Sequence, residues 1–499
     1  MGTLFLISYI IGWHFGIYTL FKKMGIEGWK AFVPFYNTWI IVEICGISKK
    51  WFCLQLIPIA GQFITIWITI IFVMHFGKFD LVSHTLTTFV PFAYLPYLGN
   101  HKDTRWVGVE GFNRYVKPSS REWIDAGVFA IVAATIIRTF VFEAYVIPSE
   151  SMEKTLLVND FLFVNKVCYG PRIPTTPLSI PFMHNTLPMS ETTPCYSKLI
   201  QLDYKRIPGY DWVKRNDVVV FNFPAGDTII NLPGFGSKVP YYDFLREVPE
   251  IHGDRSILFA HYPILVHPYD KTDNYIKRCT AVAGDVVQVK EGVLYINGMP
   301  AELPEDFQQD YIVPTNGKPI TGDGLNDILG IKVTQDNTEI EAPAGSIILN
   351  MNKEEKQLIE KYLNTKLTLA IYNKENVFPQ SAISAGWTRD NYGPIRIPAK
   401  GEVLNLNNRN IDLYRRLISV YEHANLEERD GKFFIDGKET NSYTCKYNYY
   451  WMMGDNRHRS QDSRFWGFVP ETHIVGRASL IWFSWNGGPR WKRIFKSIK

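Results

Sequence analysis

Hydrophobic positions are spread unevenly along this 499-residue chain. Up to about residue 146 they come in long runs. Beyond it they alternate with polar residues in short stretches punctuated by Gly, Pro, Asn and Asp. The run at 4–21 is about long enough to cross a bilayer, which takes roughly 17–25 residues. No basic stretch precedes it, so it does not read as a cleavable signal peptide. Residues 31–47 are apolar but broken by Pro34, Asn37, Glu43 and Gly46, and read as an interfacial or re-entrant segment. A second span is expected at 51–76. The turn Gly77-Lys78-Phe79-Asp80 leads to a third at about 81–98, weakened by Pro91 and Pro96. A fourth is expected at 123–146. Lys and Arg concentrate at 22–50 (Lys22, Lys23, Lys30, Lys49, Lys50) and at 99–122 (Lys102, Arg105, Arg114, Lys117, Arg121). Such residues favour the cytoplasmic side, and four spans put both loops on one side. The N-terminus and everything after Val146 are then expected outside. Glu143 is expected to reach the interface, and Arg138 to face a neighbouring helix or snorkel.

From residue 147 the period changes. Asp160-Phe161-Leu162-Phe163-Val164-Asn165 alternates and predicts a strand. Residues 218–223 predict a buried strand closed by Pro224, and 275–282 a strand ended by Ala283-Gly284-Asp285. Residues 286–290 and 293–296, joined by Glu291-Gly292, predict a β-hairpin. Helices are expected at 353–363 and 412–423, and a second hairpin around 433–437. Residues 449–453 lead into Gly454-Asp455-Asn456-Arg457. The Pro-, Ser- and Thr-rich 171–210 and the loop-rich 225–272 read as surface excursions. The fold class expected is a multi-span α-helical membrane region followed by a mostly-β domain with an inserted β-rich subdomain. Its boundaries are a three-span membrane module at 1–100, a basic cytoplasmic loop at 101–122 and an anchor helix at 123–146. The core occupies 147–299 and 446–486, the insertion 300–445, and a basic tail, expected to be a solvated end, 487–499.

The net charge of +4 is small for this length and argues against a nucleic-acid binder, which needs a concentrated basic face. None of the six cysteines falls in a C-x-x-C pair, so a zinc site is not expected; no metal and no cofactor are assigned. A Cys168–Cys195 disulfide is left open.

Chemistry concentrates at Ser149-Glu150-Ser151-Met152, where the expected anchor meets the β domain. Ser151 is the candidate nucleophile, and a serine hydroxyl needs a base to take its proton. The eleven histidines are scattered and no G-x-S-x-G surrounds Ser151. A lysine can serve if burial holds it neutral, well below its usual pKa of about 10.4. Lys277 fits. Strand alternation places it on a face with Tyr275 and Cys279, with Ile276 and Arg278 opposite. Each feature alone has a blander reading: Ser-x-Ser before Met as a helix cap or turn, a strand lysine as an edge residue, Gly454-Asp455-Asn456 as a turn.

In combination they reach a family. Ile147-Pro148-Ser149-Glu150-Ser151-Met152 with Thr155-Leu156 comes first, then Asp217-Val218-Val219-Val220-Phe221. Tyr275-Ile276-Lys277-Arg278 with Gly284-Asp285 follows. Gly454-Asp455-Asn456-Arg457 comes last, with Ser460, Asp462-Ser463-Arg464 and Trp466-Gly467-Phe468-Val469-Pro470. In this order, across 138–484, the blocks resemble type I signal peptidases, membrane-bound Ser/Lys proteases that remove signal peptides from exported proteins. The resemblance implies a signal-peptidase-like β fold, Ser151 as nucleophile and Lys277 as general base. It implies Ser149 as an oxyanion-hole hydroxyl beside the Ser151 N–H, Ser460 as the residue orienting the lysine, and Asp462 with Arg464 as a brace. Ile147, Met152, Leu156, Leu162, Tyr275 and Ile276 would line pockets taking small residues, typically Ala, at the first and third positions before the cut. Partners implied are signal-peptide-bearing preproteins, the lipid bilayer and, as a further candidate, the secretion translocon, with no nucleic acid. The place implied is the bacterial cytoplasmic (inner) membrane, multi-pass, with the catalytic domain on the extracytoplasmic side.

The chain departs from the family pattern at Lys154 (usually Pro), Glu150 (usually Gly), Asn216 (usually Gly) and His458-Arg459 (usually more acidic). The stretches 171–210, 225–272 and 300–440 exceed a minimal member, as do three extra spans. Two competing readings are a catalytically inactive preprotein-binding protein and a Ser/Lys self-cleaving regulator. The intact Ser/Lys pair argues against the first. The spans, and the lack of an evident DNA-binding helix pair, argue against the second.

Overall fold

The structure, a computed structural model, describes residues 2–56, 60–235, 239, 241, 244, 255–315, 320–336, 342–373, 377–379 and 386–498. Parts of the expected 51–76 span, of the 225–272 excursion, of the 300–445 insertion and of the tail lie outside the described residues. Two compact units form, Met1–Ile136 and Ile137–Lys499.

The first unit is helical. Gly2–Lys23 occupies the first expected span and ends on Lys22 and Lys23, where the helix dipole favours cations. The second expected span appears as two helices, Lys49–Leu54 and Ala60–Met74. The third is also two, Leu81–Phe89 and Pro91–Asn100. The break falls at Val90 (φ −133°), because a proline disfavours helical backbone in the residue before it. Pro91 then starts the next helix, where its missing N–H costs nothing. Among the described residues one helix is long and apolar enough to cross a membrane, Ser119–Phe140, 22 residues with none buried. The multi-span expectation therefore reduces to a set of N-terminal helices and one helix of spanning length.

Gly2–Lys23 packs against Pro91–Asn100 through missing side chains. A Cβ at Gly12 would lie 2.5 Å from the Phe92 carbonyl oxygen, and one at Gly16 would lie 2.4 Å from Leu95 Cβ. Small residues four apart let two helix backbones approach in this way. Ile17, Leu20, Phe21, Ile41, Phe72, Leu95 and Leu98 fill the core between these helices.

The second unit is built on an antiparallel sheet. Its strands run in the order Phe142–Val146, Asp160–Asn165, Ile474–Ser484, Val218–Asn222, Asn274–Ala281, Tyr449–Met453, Val469–Pro470, with Lys496–Ser497 added to Ile474–Ser484. The first strand corrects the expected anchor at 123–146. The helix stops at Phe140, and Phe142–Val146 is extended. Its aromatic and β-branched alternation turns Glu143 inward, opposite Val164. Glu143 is therefore a buried strand residue, ion-paired to Lys166 at 2.8 Å and to Arg138 at 2.6 Å. Arg138, expected to face a neighbouring helix or snorkel, reaches this carboxylate.

The hairpin Val286–Lys290/Val293–Ile296 forms as expected, its turn residues at φ +48° (Glu291) and +75° (Gly292). Two left-handed residues make the turn type that matches strand twist. Lys353–Leu363 is a helix with a capping box between Asn352 and Glu355. The expected helix at 412–423 is Ile411–Arg416 followed by a π turn, Leu417–Tyr421. Within 300–445, Gln308–Pro314, Ser346–Asn352, Thr334–Asp336 and Thr368–Leu369 make a separate sheet, whereas Tyr392–Arg396 pairs with Val286–Lys290. The tail is not simply a solvated end. Arg493 pairs with the fully buried Asp160 at 2.5 Å, Arg490 donates to the Val158 carbonyl at 2.9 Å, and Lys496–Ser497 joins the sheet. All six cysteines, Cys168 and Cys195 included, are free thiols.

Candidate active site

Asn274–Ala281 sits between Val218–Asn222 and Tyr449–Met453, so Lys277 lies opposite Val219 in the sheet interior with 4% of its surface exposed. Pro148 ends the extended segment before the turn. Ser149 is extended (φ −135°, ψ 162°), and Glu150–Met152 form one 3-10 turn that buries Ser151. The turn delivers Ser151 Oγ to the lysine: Lys277 Nζ hydrogen-bonds it, across 126 residues of sequence. Ser149 Oγ, on an exposed residue, is 3.4 Å from Ser151 Oγ.

The lysine is held well below its ordinary pKa. Burial disfavours its charged form, the carboxylates of Asp462 and Asp455 pull the value back up, and Arg464 pushes it down, leaving it at about 8. Roughly a tenth of such lysines are neutral at pH 7, against about one in a few thousand at the ordinary value.

A loop after Tyr449–Met453 walls the pair in. Asp462 and Arg464, neither exposed at all, form a two-pronged ion pair at 2.9 and 2.8 Å. Asp462 also accepts the Gly454 N–H at 3.2 Å. Gly454 is needed here, since a Cβ would lie 2.3 Å from Ser460 Oγ and 2.6 Å from the Ser151 carbonyl oxygen. Ser460 is buried beside this glycine, but its hydroxyl donates to the Gln461 carbonyl at 3.3 Å rather than to Lys277.

The six residues expected to line pockets divide. Ile147, Met152, Leu156 and Leu162 are buried in one apolar cluster with Val218, Val220 and Val475, and the half-buried Ile276 packs against it. Tyr275 belongs to a second cluster, stacked on Phe223 (4.3 Å, 17°) and edge-on to Trp466. Lys277 thus has one cluster on each side of its strand.

Several contacts went unassigned in the sequence reading. Arg278 and Asp455, both buried, make a bidentate pair at 2.8 and 2.6 Å, and Thr155 Oγ donates to the same carboxylate at 2.7 Å. The available signal was an arginine inside a buried strand, which requires a carboxylate. The Asn456 N–H donates to the Ser151 carbonyl at 3.1 Å. Lys154 pairs with Glu355, and its φ of +68° excludes the proline usual at this position in the resembled family. Glu150 lies 3.7 Å from Arg459. Among the described residues no cluster of His, Cys, Asp and Glu suits a metal ion.

Comparison with known proteins identifies the family. The family model described as signal peptidase, peptidase S26, matches residues 120–355 and 393–485. A model for a family of unknown function matches residues 29–109. Signal peptidase I of Haemophilus influenzae is 26% identical over 385 residues, 75% of each chain. Signal peptidase I of Buchnera aphidicola subsp. Schizaphis graminum is 25% identical over 366 residues, 72% of this chain and 76% of its own. That of Aquifex aeolicus is 23% identical over 357 residues, 71% and 80%. The stretch left between the two matched segments, 356–392, is shorter than the insertion expected at 300–440. With more than half its length matched, the chain belongs to the signal peptidase, peptidase S26, family.

Proposed function

We propose that this chain is a membrane-bound serine endopeptidase that removes N-terminal signal peptides from exported preproteins, cutting after small residues of the Ala-x-Ala type, with Ser151 as nucleophile and Lys277 as general base. The observation that carries the reading is the hydrogen bond between Lys277 Nζ and Ser151 Oγ in a setting that depresses the lysine pKa. Neutral Lys277 takes the Ser151 proton as Oγ attacks the carbonyl carbon before the cut. The Ser151 N–H and the Ser149 hydroxyl receive the developing oxyanion, each such donor being worth about 2.7–4 kcal/mol. The lysine ammonium then protonates the leaving amine and, neutral again, activates the water that releases the acyl-enzyme. Asp462 and Arg464 hold the wall behind the lysine. Ser460 lies in the same wall, and its orienting role requires its hydroxyl to turn from Gln461.

Ile276 and Tyr275, the partly exposed members of the apolar clusters, are the proposed floor on which small side chains rest, with Ile147, Met152, Leu156 and Leu162 behind Ile276. Ser119–Phe140 is the proposed anchor, in a bacterial cytoplasmic membrane, with the unit from residue 137 on the extracytoplasmic side. The apolar run in Gly2–Lys23 and the basic loops support further spans, and the translocon is a proposed partner on the same reasoning. The inactive, preprotein-binding alternative has no support, because a binding module has no need of a buried lysine on a serine hydroxyl. The test is cleavage of a signal-peptide substrate ending in Ala-x-Ala by full-length protein in detergent. Cleavage by wild type that is lost in both Ser151→Ala and Lys277→Ala is the expected result. Retained cleavage in either folded variant contradicts the mechanism.

A further inference from the structure

We infer that Asn350, on the strand Ser346–Asn352 of the separate sheet, is a positioning residue that sets the orientation of the Ser151 N–H through Asn456. The inference rests on the reading of Ser151 as nucleophile. Asn350 is 3% exposed, and its Nδ2 donates to both Asp310 Oδ1 at 2.7 Å and Asn456 Oδ1 at 2.9 Å. With Oδ1 so engaged, the Asn456 amide presents Nδ2 to the Glu150 carbonyl at 3.2 Å. The Asn456 N–H meanwhile holds the Ser151 carbonyl at 3.1 Å. Two consecutive carbonyls are thus pinned by one asparagine.

The first of them matters for chemistry. The Glu150 C=O and the Ser151 N–H belong to one planar, trans peptide unit and point in opposite directions. Fixing the carbonyl toward Asn456 aims the N–H away from it, toward the side where an oxyanion is received. An oxyanion donor acts only when already aimed.

The separate sheet is stitched to this loop along its edge. The Gln308 N–H donates to the Asp455 carbonyl at 2.9 Å, and the Asp310 N–H donates to His458 Nδ1 at 2.8 Å. On the far side of the Ser151 turn, Lys154 pairs with Glu355 at the start of Lys353–Leu363. The turn carrying the nucleophile is therefore gripped at both ends by residues outside the main sheet.

The experiment separates positioning from mere stability. Full-length wild type, Asn350→Asp, Asp310→Asn and the exchanged pair Asp310→Asn/Asn350→Asp are compared in detergent for Tm, and for kcat and KM on an Ala-x-Ala signal-peptide substrate. Aspartate at 350 cannot donate to Asn456. In the exchanged pair asparagine at 310 donates back to it, restoring that hydrogen bond in reverse. The expected result is kcat lowered about ten- to a hundredfold in Asn350→Asp, as for a small misplacement of reacting groups, with KM little changed. In the exchanged pair Tm recovers and kcat does not. A normal kcat in folded Asn350→Asp, or kcat recovering with Tm, overturns the inference. Should Asn350→Asp fail to fold, Asn456→Asp keeps an oxygen toward Asn350 and replaces the amide facing Glu150. It is expected to show the same kcat loss, and a wild-type kcat there overturns the inference equally. Ser151→Ala runs alongside. Full activity in it defeats the nucleophile reading itself, whereas an inert Ser151→Ala beside a normal Asn350→Asp defeats this inference alone.

Discussion

The N-terminal unit and the unit from residue 137 bury polar groups in different ways. Among the described residues the first buries Thr19, Asn37, Thr38, Thr69, His75, Ser83, His84, Thr87 and Thr104, but no Asp, Glu, Lys or Arg. Many of these polar groups are satisfied within their own helix. Thr69 Oγ donates to the Thr65 carbonyl at 2.7 Å, Thr87 to Ser83 at 2.7 Å, and His75 Nδ1 to Ile71 at 2.8 Å. The second unit buries Lys277, Arg278, Asp310, Asp390, Asp455, Asp462 and Arg464. Asp462 and Arg464 are two residues apart, but other pairs join distant segments: Arg278 reaches Asp455 across 177 residues, Asp390 meets His458 across 68, and the likewise buried Asp160 meets Arg493 across 333. A buried ion is costly unless paired, so such pairs define the geometry of the loops they join. Local satisfaction in the first unit lets helices pack. Long-range ion pairing in the second assembles a site.

The largest effect expected from breaking this contrast is at the proposed dyad. Ser151→Ala or Lys277→Ala should lower kcat by more than about a thousandfold, as when a nucleophile or its base is removed elsewhere. Steady-state kinetics on a signal-peptide substrate checks this, with thermal unfolding to confirm the fold. Next is the wall. Asp462→Ala leaves Arg464 buried without its carboxylate and should cost about 3–5 kcal/mol of unfolding free energy, read by denaturant unfolding. A loss under 1 kcal/mol would mean the pair is not buried in solution.

Lys277 also ties stability to pH. Its pKa is about 8 in the folded chain, against an ordinary 10.5. Between these values the unfolded lysine holds a proton that the folded one has shed, so this group makes the fold more stable as pH rises through that window. Below about pH 8 both states are charged and the gain is gone. Lys277→Met should remove this part of the pH dependence, measured as unfolding midpoints from pH 7 to 10.

Smaller effects belong to the tail and the first unit. Arg493→Ala should cost about 1–3 kcal/mol, because Asp160 keeps Ser484, the Leu157 N–H and Arg490 at 3.7 Å but loses the nearer of its two charged partners. Thr87→Val, which removes one local hydrogen bond, should stay within about 0.5 kcal/mol. An effect there as large as at Asp462 would erase the contrast between the units.

Much of the second unit was legible in the chain itself, because period-2 alternation marks strands locally. The strands at 160–165, 218–222 and 274–281 and the hairpin at 286–296 form close to where alternation and turn residues put them. Ser151 and Lys277 each had a blander local reading, as a turn and as an edge residue, and stood out only in combination with the ordered blocks around them. Less visible were features decided at a distance. Phe142–Val146 is apolar enough to read as more helix, and only its pairing with Asp160–Asn165 makes it a strand. The tail looked like a solvated end because its partner, Asp160, is more than 300 residues earlier. Asn350 carried no signal at all, since an asparagine in a strand is unremarkable until its two acceptors are known. In the first unit, composition suggested four spans, and the Val90–Pro91 junction splits one of them for a reason already present in the sequence.

The central claim is that a lysine made partly neutral by burial activates Ser151. Its most direct test is the pH dependence of kcat/KM for an Ala-x-Ala signal-peptide substrate, from pH 6 to 10, with full-length wild type and Lys277→Ala in detergent. The expected profile rises about tenfold per pH unit below pH 8 and levels above it, as one group with a pKa of about 8 loses its proton, and it vanishes in the variant. A flat profile, or the same rise surviving in a folded Lys277→Ala protein, would contradict the claim.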